Sequence, residues 1–297
     1  MIVITGATGN IGKKITERLL SRGKKVRAIA RHADRLKELE GKGAEAFVGS
    51  VEDAAAMTEA FMGAEAVFTM IPPNYAAKDF RRYQNQVSQA LAEAIEKSSV
   101  KHVVNLSSLG AHRPDKLGPI NGLYDHEQRL NKLKGVNILH LRPTYFMENQ
   151  LMNIGLIKKM GINGTPLKED LRFPMIATQD VAAEAAERLA KRDFQGSSVK
   201  ELLGQRDLTM AEATKIFGAA INKPDLKYVQ FPYEDAEKAM TGMGLSPDIA
   251  RLFIEMNRGF NEGMAKPTQG RNPQTTTPTS IEEFAKKFAE IYKSSNN

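Results

Sequence analysis

Thr5-Gly6-Ala7-Thr8-Gly9-Asn10-Ile11-Gly12 follows directly on the apolar run Met1-Ile2-Val3-Ile4, and Ile11, Ile15 and Leu19 then recur at helical spacing up to Gly23. A short apolar run, a glycine-punctuated turn and an amphipathic segment spell a strand, a tight turn and a helix. Gly6, Gly9 and Gly12 stand at the spacing G-x-x-G-x-x-G. In that arrangement one glycine makes the turn, one lets the backbone approach a pyrophosphate with no Cβ between them, and one lets the helix pack close to the strand. The helix N-terminus adds free N–H groups and a partial positive charge. The stretch is therefore expected to bind a dinucleotide, the alternative being a purely structural turn.

Outward from this unit, apolar runs recur at Lys25 to Ala30, Ala44 to Gly49, Ala66 to Ile71, His102 to Leu106 and Val136 to Leu141, separated by amphipathic segments. Six runs in β-α-β rhythm predict an α/β fold with a doubly wound parallel sheet, a Rossmann domain over residues 1–150. Beyond Arg142-Pro143 the rhythm loosens. Residues 151–297 are expected to form a smaller, mainly helical substrate or partner region, with about 174–192 packing back on the sheet. A helix is expected at Phe146 to Lys159 and another at Val181 to Lys191, and a short strand at Lys227 to Phe231. Two capping boxes, Thr209 with Glu212 and Ser280 with Glu283, mark further helix starts. Pro267 to Pro278 reads as an exposed loop.

The second run ends Ala28-Ile29-Ala30-Arg31-His32, and its first acid, Asp34, comes several residues too late to hold the ribose hydroxyls of NAD. Arg31 stands in the expected acid's place, where a guanidinium suits the 2′-phosphate of NADP. The bland alternative is a surface arginine, and His32 is either adenine-facing or solvated. The 297 residues carry a net charge of +7, with 22 basic against 16 acidic residues in the first 150 and 20 against 19 afterwards. A bound polyanionic small molecule accounts for that bias as well as a solvated surface does. No nucleic-acid reading motif is visible. With no cysteine and only five scattered histidines, no metal site is expected. Neither a secretory leader nor a membrane-length apolar run is apparent, so a cytoplasmic protein is expected.

Leu141-Arg142-Pro143-Thr144-Tyr145-Phe146-Met147-Glu148-Asn149 resembles the R-P-x-x-F-M-E-N segment of the NmrA-like branch of the atypical short-chain dehydrogenases/reductases. Ser107-Ser108-Leu109-Gly110-Ala111, Gly118-Pro119-Ile120 and Tyr124 to Leu130 are similar to it as well. The resemblance spans nearly the whole chain and weakens beyond about residue 195. It implies NADP(H) binding and an activity among quinone and dye reductases, ketone and imine-type reductases, or non-catalytic redox sensors. By the same resemblance, Thr8, Gly9, Asn10 and Ile11 would meet the pyrophosphate and Arg31 the 2′-phosphate. Thr69, Met70 and Pro72 would lie near the ribose, and Pro143, Thr144 and Tyr145 near the nicotinamide. The wider superfamily often binds the adenine amine with an acid after the third strand. Here Ser50 follows Gly49, with Glu52 and Asp53 displaced.

Short-chain reductases usually carry Tyr-x-x-x-Lys on one helix face, the ammonium lowering the phenol pKa. None of the seven tyrosines has a lysine four residues on, and Tyr124 has Gln128 there. Tyr124, Tyr145 and His126 are the candidate acids, each with a structural alternative. A delocalised acceptor can take its proton from water, whereas an isolated ketone needs an acid close by. The expected function is therefore hydride transfer from NADPH to a small conjugated electrophile such as a quinone or dye. Phe146, Met147, Leu151, Met152 and Phe173 are candidates for its pocket, with plain core as the alternative. A redox sensor is the other reading, and a nucleotide-sugar epimerase a weaker one. A homodimer or a protein partner is open.

Overall fold

The computed structural model describes residues 1–295. Its first half alternates β1 (Ile2–Ile4), α1 (Gly12–Leu20), β2 (Val26–Ala30), α2 (Lys37–Glu40), β3 (Glu45–Val48), α3 (Ala54–Phe61), β4 (Ala66–Thr69), α4 (Phe80–Ser98), β5 (His102–Leu106), α5 (Pro119–Leu130) and β6 (Asn137–Pro143). There follow β7 (Tyr145–Phe146), a 3-10 stretch (Met147–Asn153), α6 (Ile154–Met160), β8 (Ile162–Thr165), β9 (Phe173–Ile176), α7 (Thr178–Lys191) and β10 (Ser197–Leu202). The chain closes with β11 (Asp207–Leu208), α8 (Met210–Ala220), β12 (Lys227–Gln230), α9 (Tyr233–Gly242), α10 (Pro247–Asn261) and α11 (Ile281–Ser294).

Seven parallel strands lie in the order β10-β6-β5-β4-β1-β2-β3. β1 pairs with β2 on one side and β4 on the other, Ile2 meeting Val26 and Ala66. The winding reverses there, which opens a crevice at the carboxyl ends of β1 and β4. Alternation along each strand supplies both faces with apolar side chains. Ile4, Ala28, Phe68, Val104 and Leu141 pack under α1 and α7. Val3, Ile29, Val67, Val103 and Ile138 pack under α3 and α4.

The six expected strands are present within a few residues of their expected ends. The seventh, β10, was not expected. Ser-Ser-Val-Lys-Glu-Leu carries little apolar patterning, and it is placed by pairing with β6 from Ser197↔Ile138 to Leu202↔Pro143. Its free edge is covered by the segment expected to be an exposed loop. The Gln269 side chain accepts from Glu201 N at 3.0 Å and donates to Val199 O at 2.9 Å, standing in for a neighbouring strand. Fully buried Glu201 accepts from Thr268 and Gln269, and Thr275 and Thr277 are buried too.

In the second half, Phe217 stacks 4.5 Å from Phe288 and 6.2 Å from Phe284, joining α8 to α11. Thr209 and Glu212 form the full reciprocal capping box. At α11 the Ser280 hydroxyl accepts from Glu283 N. The expected helix over Phe146 to Lys159 is split, a 3-10 stretch giving way to α6. Asn163 bonds both Gln150 and Asn153 across that break. Among the described residues no helix is long and apolar enough to cross a membrane.

Candidate active site

The glycine turn lies at the crevice. Thr5 donates from both its N–H and its hydroxyl to Phe68 O on β4, at 3.1 and 3.0 Å. Gly6 has φ of +61°, and a Cβ there would stand 3.0 Å from the Met70 sulfur. A Cβ on Gly12 would fall 2.2 Å from Gly6 O, so only glycine lets α1 dock on the turn. Gly9 and Asn10 are exposed and Thr8 is half-buried. Ile11 supplies no side-chain cap, and the first turn of α1 carries no acid. The N–H groups and positive end of α1 therefore face the crevice without a competing side chain.

Arg31 is exposed at the carboxyl end of β2, and no carboxylate pairs with it among the described residues. It lies near enough to Tyr83 to favour the phenolate, although burial dominates and pushes that phenol up to about 12. The Tyr83 hydroxyl donates to Pro72 O at 3.0 Å, so Pro72 and Arg31 occupy one rim. After β3, Ser50 accepts weakly from Glu52 N at 3.3 Å. Asp53 is engaged as the cap of α3, accepting from Ala55 and Ala56, and Glu52 is exposed. Glu52 lies near enough to Tyr83 to act on its phenol, on the same rim as Arg31.

A cavity of about 310 Å³ opens beyond the turn at the ends of β4, β5 and β6. Met70, Leu106, Tyr145 and Phe146 line it from below, and Met256 and Phe260 of α10 cover it. Pro143 and Thr144 are on its wall, as expected, but the Thr144 hydroxyl donates away from it to Pro174 O at 2.7 Å. The Tyr145 ring meets Phe173 edge-on at 5.5 Å. Its oxygen accepts from Gln150 at 3.0 Å, and burial pushes its phenol up to about 12. Of the pocket candidates only Phe146 lines the cavity. Phe173 and Met147 are core, Leu151 packs against that core, and Met152 is exposed.

Three expected site residues are placed elsewhere. Thr69 is fully buried, its hydroxyl donating to Asn105 at 3.2 Å. It begins a chain through buried Asn105 and His140 to Asn131 at the surface, because its side chain falls on the face of the sheet under α5. His126 is fully buried against α4, its Nδ1 2.8 Å from Ser88 Oγ, and burial lowers its pKa to about 3. It neither reaches the cavity nor titrates near neutrality. Tyr124 is half-exposed and is not among the lining residues, whereas Ile120 and Leu123 of the same helix are.

Beneath the wall lies a group whose role the sequence did not disclose. Arg142 donates to Glu127 through Nε at 2.9 Å and through Nη2 at 2.5 Å, and Ser107 donates to the same carboxylate at 2.5 Å. Glu127 is 1% exposed and Arg142 8%. With its proton directed to Glu127, Ser107 offers the cavity only lone pairs and acts there as an acceptor. A charged residue inside the apolar run Ile138 to Leu141-Arg142 was the signal, since a buried arginine requires an acid. Behind the turn, Lys14 donates to Thr178 at 2.7 Å and Thr178 donates to Glu148, which fastens the segment after β7 to α1 and α7.

A wider depression of about 690 Å³ lies beside β10, and its charges pair internally, Lys200 with Glu184 and Arg188 with Asp193, each at 2.7 Å. It is set along the sheet edge, away from the carboxyl-end crevice.

The NmrA-like family model matches residues 1–285, and the chain belongs to that family. It is 28% identical over 293 residues to an NAD(P)H azoreductase from Xenophilus azovorans, covering 99% of this chain and 97% of that one. Among solved structures, the NADPH complex of quinone oxidoreductase QOR2 from Escherichia coli is similar with a TM-score of 0.81 and 22% identity, over 96% of this chain and 98% of that one. Triphenylmethane reductase from Citrobacter sp. with NADP(H) has a TM-score of 0.83 at 17% identity, over 97% and 100%.

Proposed function

We propose that this NmrA-like chain is an NADPH-dependent reductase of small, flat, conjugated acceptors such as quinones. The observation that carries the reading is a cavity that shares Met70 with the glycine turn, on whose wall no group is tuned to donate a proton near neutral pH. Ser107 directs its proton to Glu127, the Tyr145 phenol lies at about 12, and His126 is elsewhere. A quinone tolerates that poverty because its negative charge delocalises and water can protonate it, whereas an isolated ketone does not. The chain's own residues fit the cofactor. The bare surface of Gly9 and the uncapped start of α1 suit a pyrophosphate, and exposed Arg31, which no carboxylate pairs with among the described residues, suits a 2′-phosphate. When bound, the nicotinamide supplies the hydride, so that NADPH, acceptor and a proton yield NADP⁺ and the two-electron-reduced acceptor. The protein's part is to hold both rings together and exclude water from between them, with Phe260 and Met256 as the cover. The names of the azoreductase and of the quinone oxidoreductase support the same class.

The direct test is NADPH consumption with a panel of quinones. Turnover with several of them is expected. Tight NADP(H) binding with no turnover on any acceptor would replace this reading with a redox sensor.

A further inference from the structure

The cavity wall carries no charge. None of its seventeen lining residues is Asp, Glu, Lys, Arg or His. Its polar groups are hydroxyls and amides, and several face away: Ser107 donates to Glu127, Ser108 to Leu109 O and Thr144 to Pro174 O. The ions behind it, Glu127 and Arg142, face one another and cancel. What the wall offers a ligand is flat rings in Tyr145, Phe146 and Phe260, adaptable thioethers in Met70 and Met256, and the amides of Asn149 and Asn257.

We infer that the acceptor is electrically neutral as well as planar, and that the site discriminates against acceptors bearing a fixed charge on the conjugated system. The inference rests on the reductase reading for its acceptor, though not for its test. An ion entering this half-open cavity loses part of its hydration and meets no counter-charge on the wall, while a neutral quinone loses little and gains apolar contact. Aromatic rings offer a cation only their quadrupoles, a weaker partner than the water given up. A triarylmethane cation and a ring-sulfonated azo or quinone compound are therefore disfavoured for opposite signs of the same reason. The amides can meet the carbonyl oxygens of a neutral acceptor. Asn257 uses one Nδ2 hydrogen on Phe253 O at 2.7 Å and keeps the other.

The test needs no turnover. NADPH-saturated protein, whose reduced nicotinamide ring is uncharged, is titrated calorimetrically with naphthol, naphthalenesulfonate and a naphthyl trimethylammonium ion, which share a ring system, accept no hydride and differ in charge. The neutral compound should bind at least about tenfold more tightly than either ion. In parallel, kcat/KM with NADPH should favour menadione over its ring-sulfonated counterpart and over malachite green. Met256→Glu, which puts a carboxylate on the wall, should raise the affinity of the cation relative to the neutral compound by about tenfold. Equal affinities across the series, or a preference for either ion, would overturn the neutral-acceptor inference and leave the reductase reading standing. Selective neutral binding without turnover on any acceptor would overturn the reductase reading alone. Should Met256→Glu fail to fold, the unmodified protein's series decides by itself.

Discussion

Removing one side of the Glu127–Arg142 pair should destabilise the protein far more than removing both. Arg142 makes two bonds to the carboxylate, at 2.9 and 2.5 Å, and Ser107 adds a third, with both ions nearly excluded from water. Deleting one partner of a buried pair leaves the other uncompensated, at a cost of about 3–5 kcal/mol. Total stability is about 5–15 kcal/mol, so Glu127→Leu or Arg142→Met alone should take a large share of it, roughly 10 °C in Tm. Combining the two removes both charges and leaves apolar side chains of similar volume. The double variant should therefore be more stable than either single one, a coupling of several kcal/mol. Urea unfolding followed by circular dichroism, as a double-mutant cycle, measures it. If the single variants each lose under about 1 kcal/mol, or the double loses their sum, the pair is not the buried, mutually compensating unit described above.

Arg31→Ala should erase most of the preference for NADP(H) over NAD(H), a loss on the order of 1.5–3 kcal/mol, with NAD affinity nearly unchanged in fluorescence titration. Equal affinities in the unmodified protein would remove Arg31's assigned role. Gly12→Ala should weaken the fold itself, because its Cβ would lie 2.2 Å from Gly6 O. Gly9→Val should cost the fold less than Gly12→Ala, because Gly6 O at 3.3 Å from its Cβ must give by only a few tenths of an ångström, and should abolish binding of both dinucleotides because the site is exposed. Turnover with a quinone should vary little between about pH 6 and 8 in the unmodified protein and in Tyr124→Phe, because the Tyr145 phenol lies at about 12 and His126 at about 3. Stability should depend on pH in the acid range. His126 and His140 are held neutral by burial, at about 3 and about 4, below their unfolded value of 6.5. The unfolded chain thus binds more protons, and stability falls as pH drops from about 6.5 towards 4. His140→Asn should flatten that slope in urea titrations at successive pH values.

The parallel sheet was legible because its signals are local. Six apolar runs, a glycine turn with an amphipathic helix behind it, and a basic residue where an acid would select NAD all lie within short windows of sequence. The same locality explains what failed. β10 has too few apolar residues to announce itself, and it became a strand because β6 offered an unpaired edge. The Pro267 to Pro278 loop reads as solvent-loving, yet Gln269 and Thr275 are drawn in to satisfy the groups that β10 left open.

By itself the sequence determined the glycine turn, since Gly12 has no substitute at a 2.2 Å approach, and it set a basic residue, Arg31, at the end of β2. Only the tertiary structure decided which side chains face the cavity. Direction depends on the parity of a residue along its strand and its angle around its helix, and a difference of one position reverses it. That is why Thr69 turned under α5 while Met70 reached the cavity. It is also why Leu123 reached the cavity, Tyr124 beside it did not, and His126 is buried against Ser88.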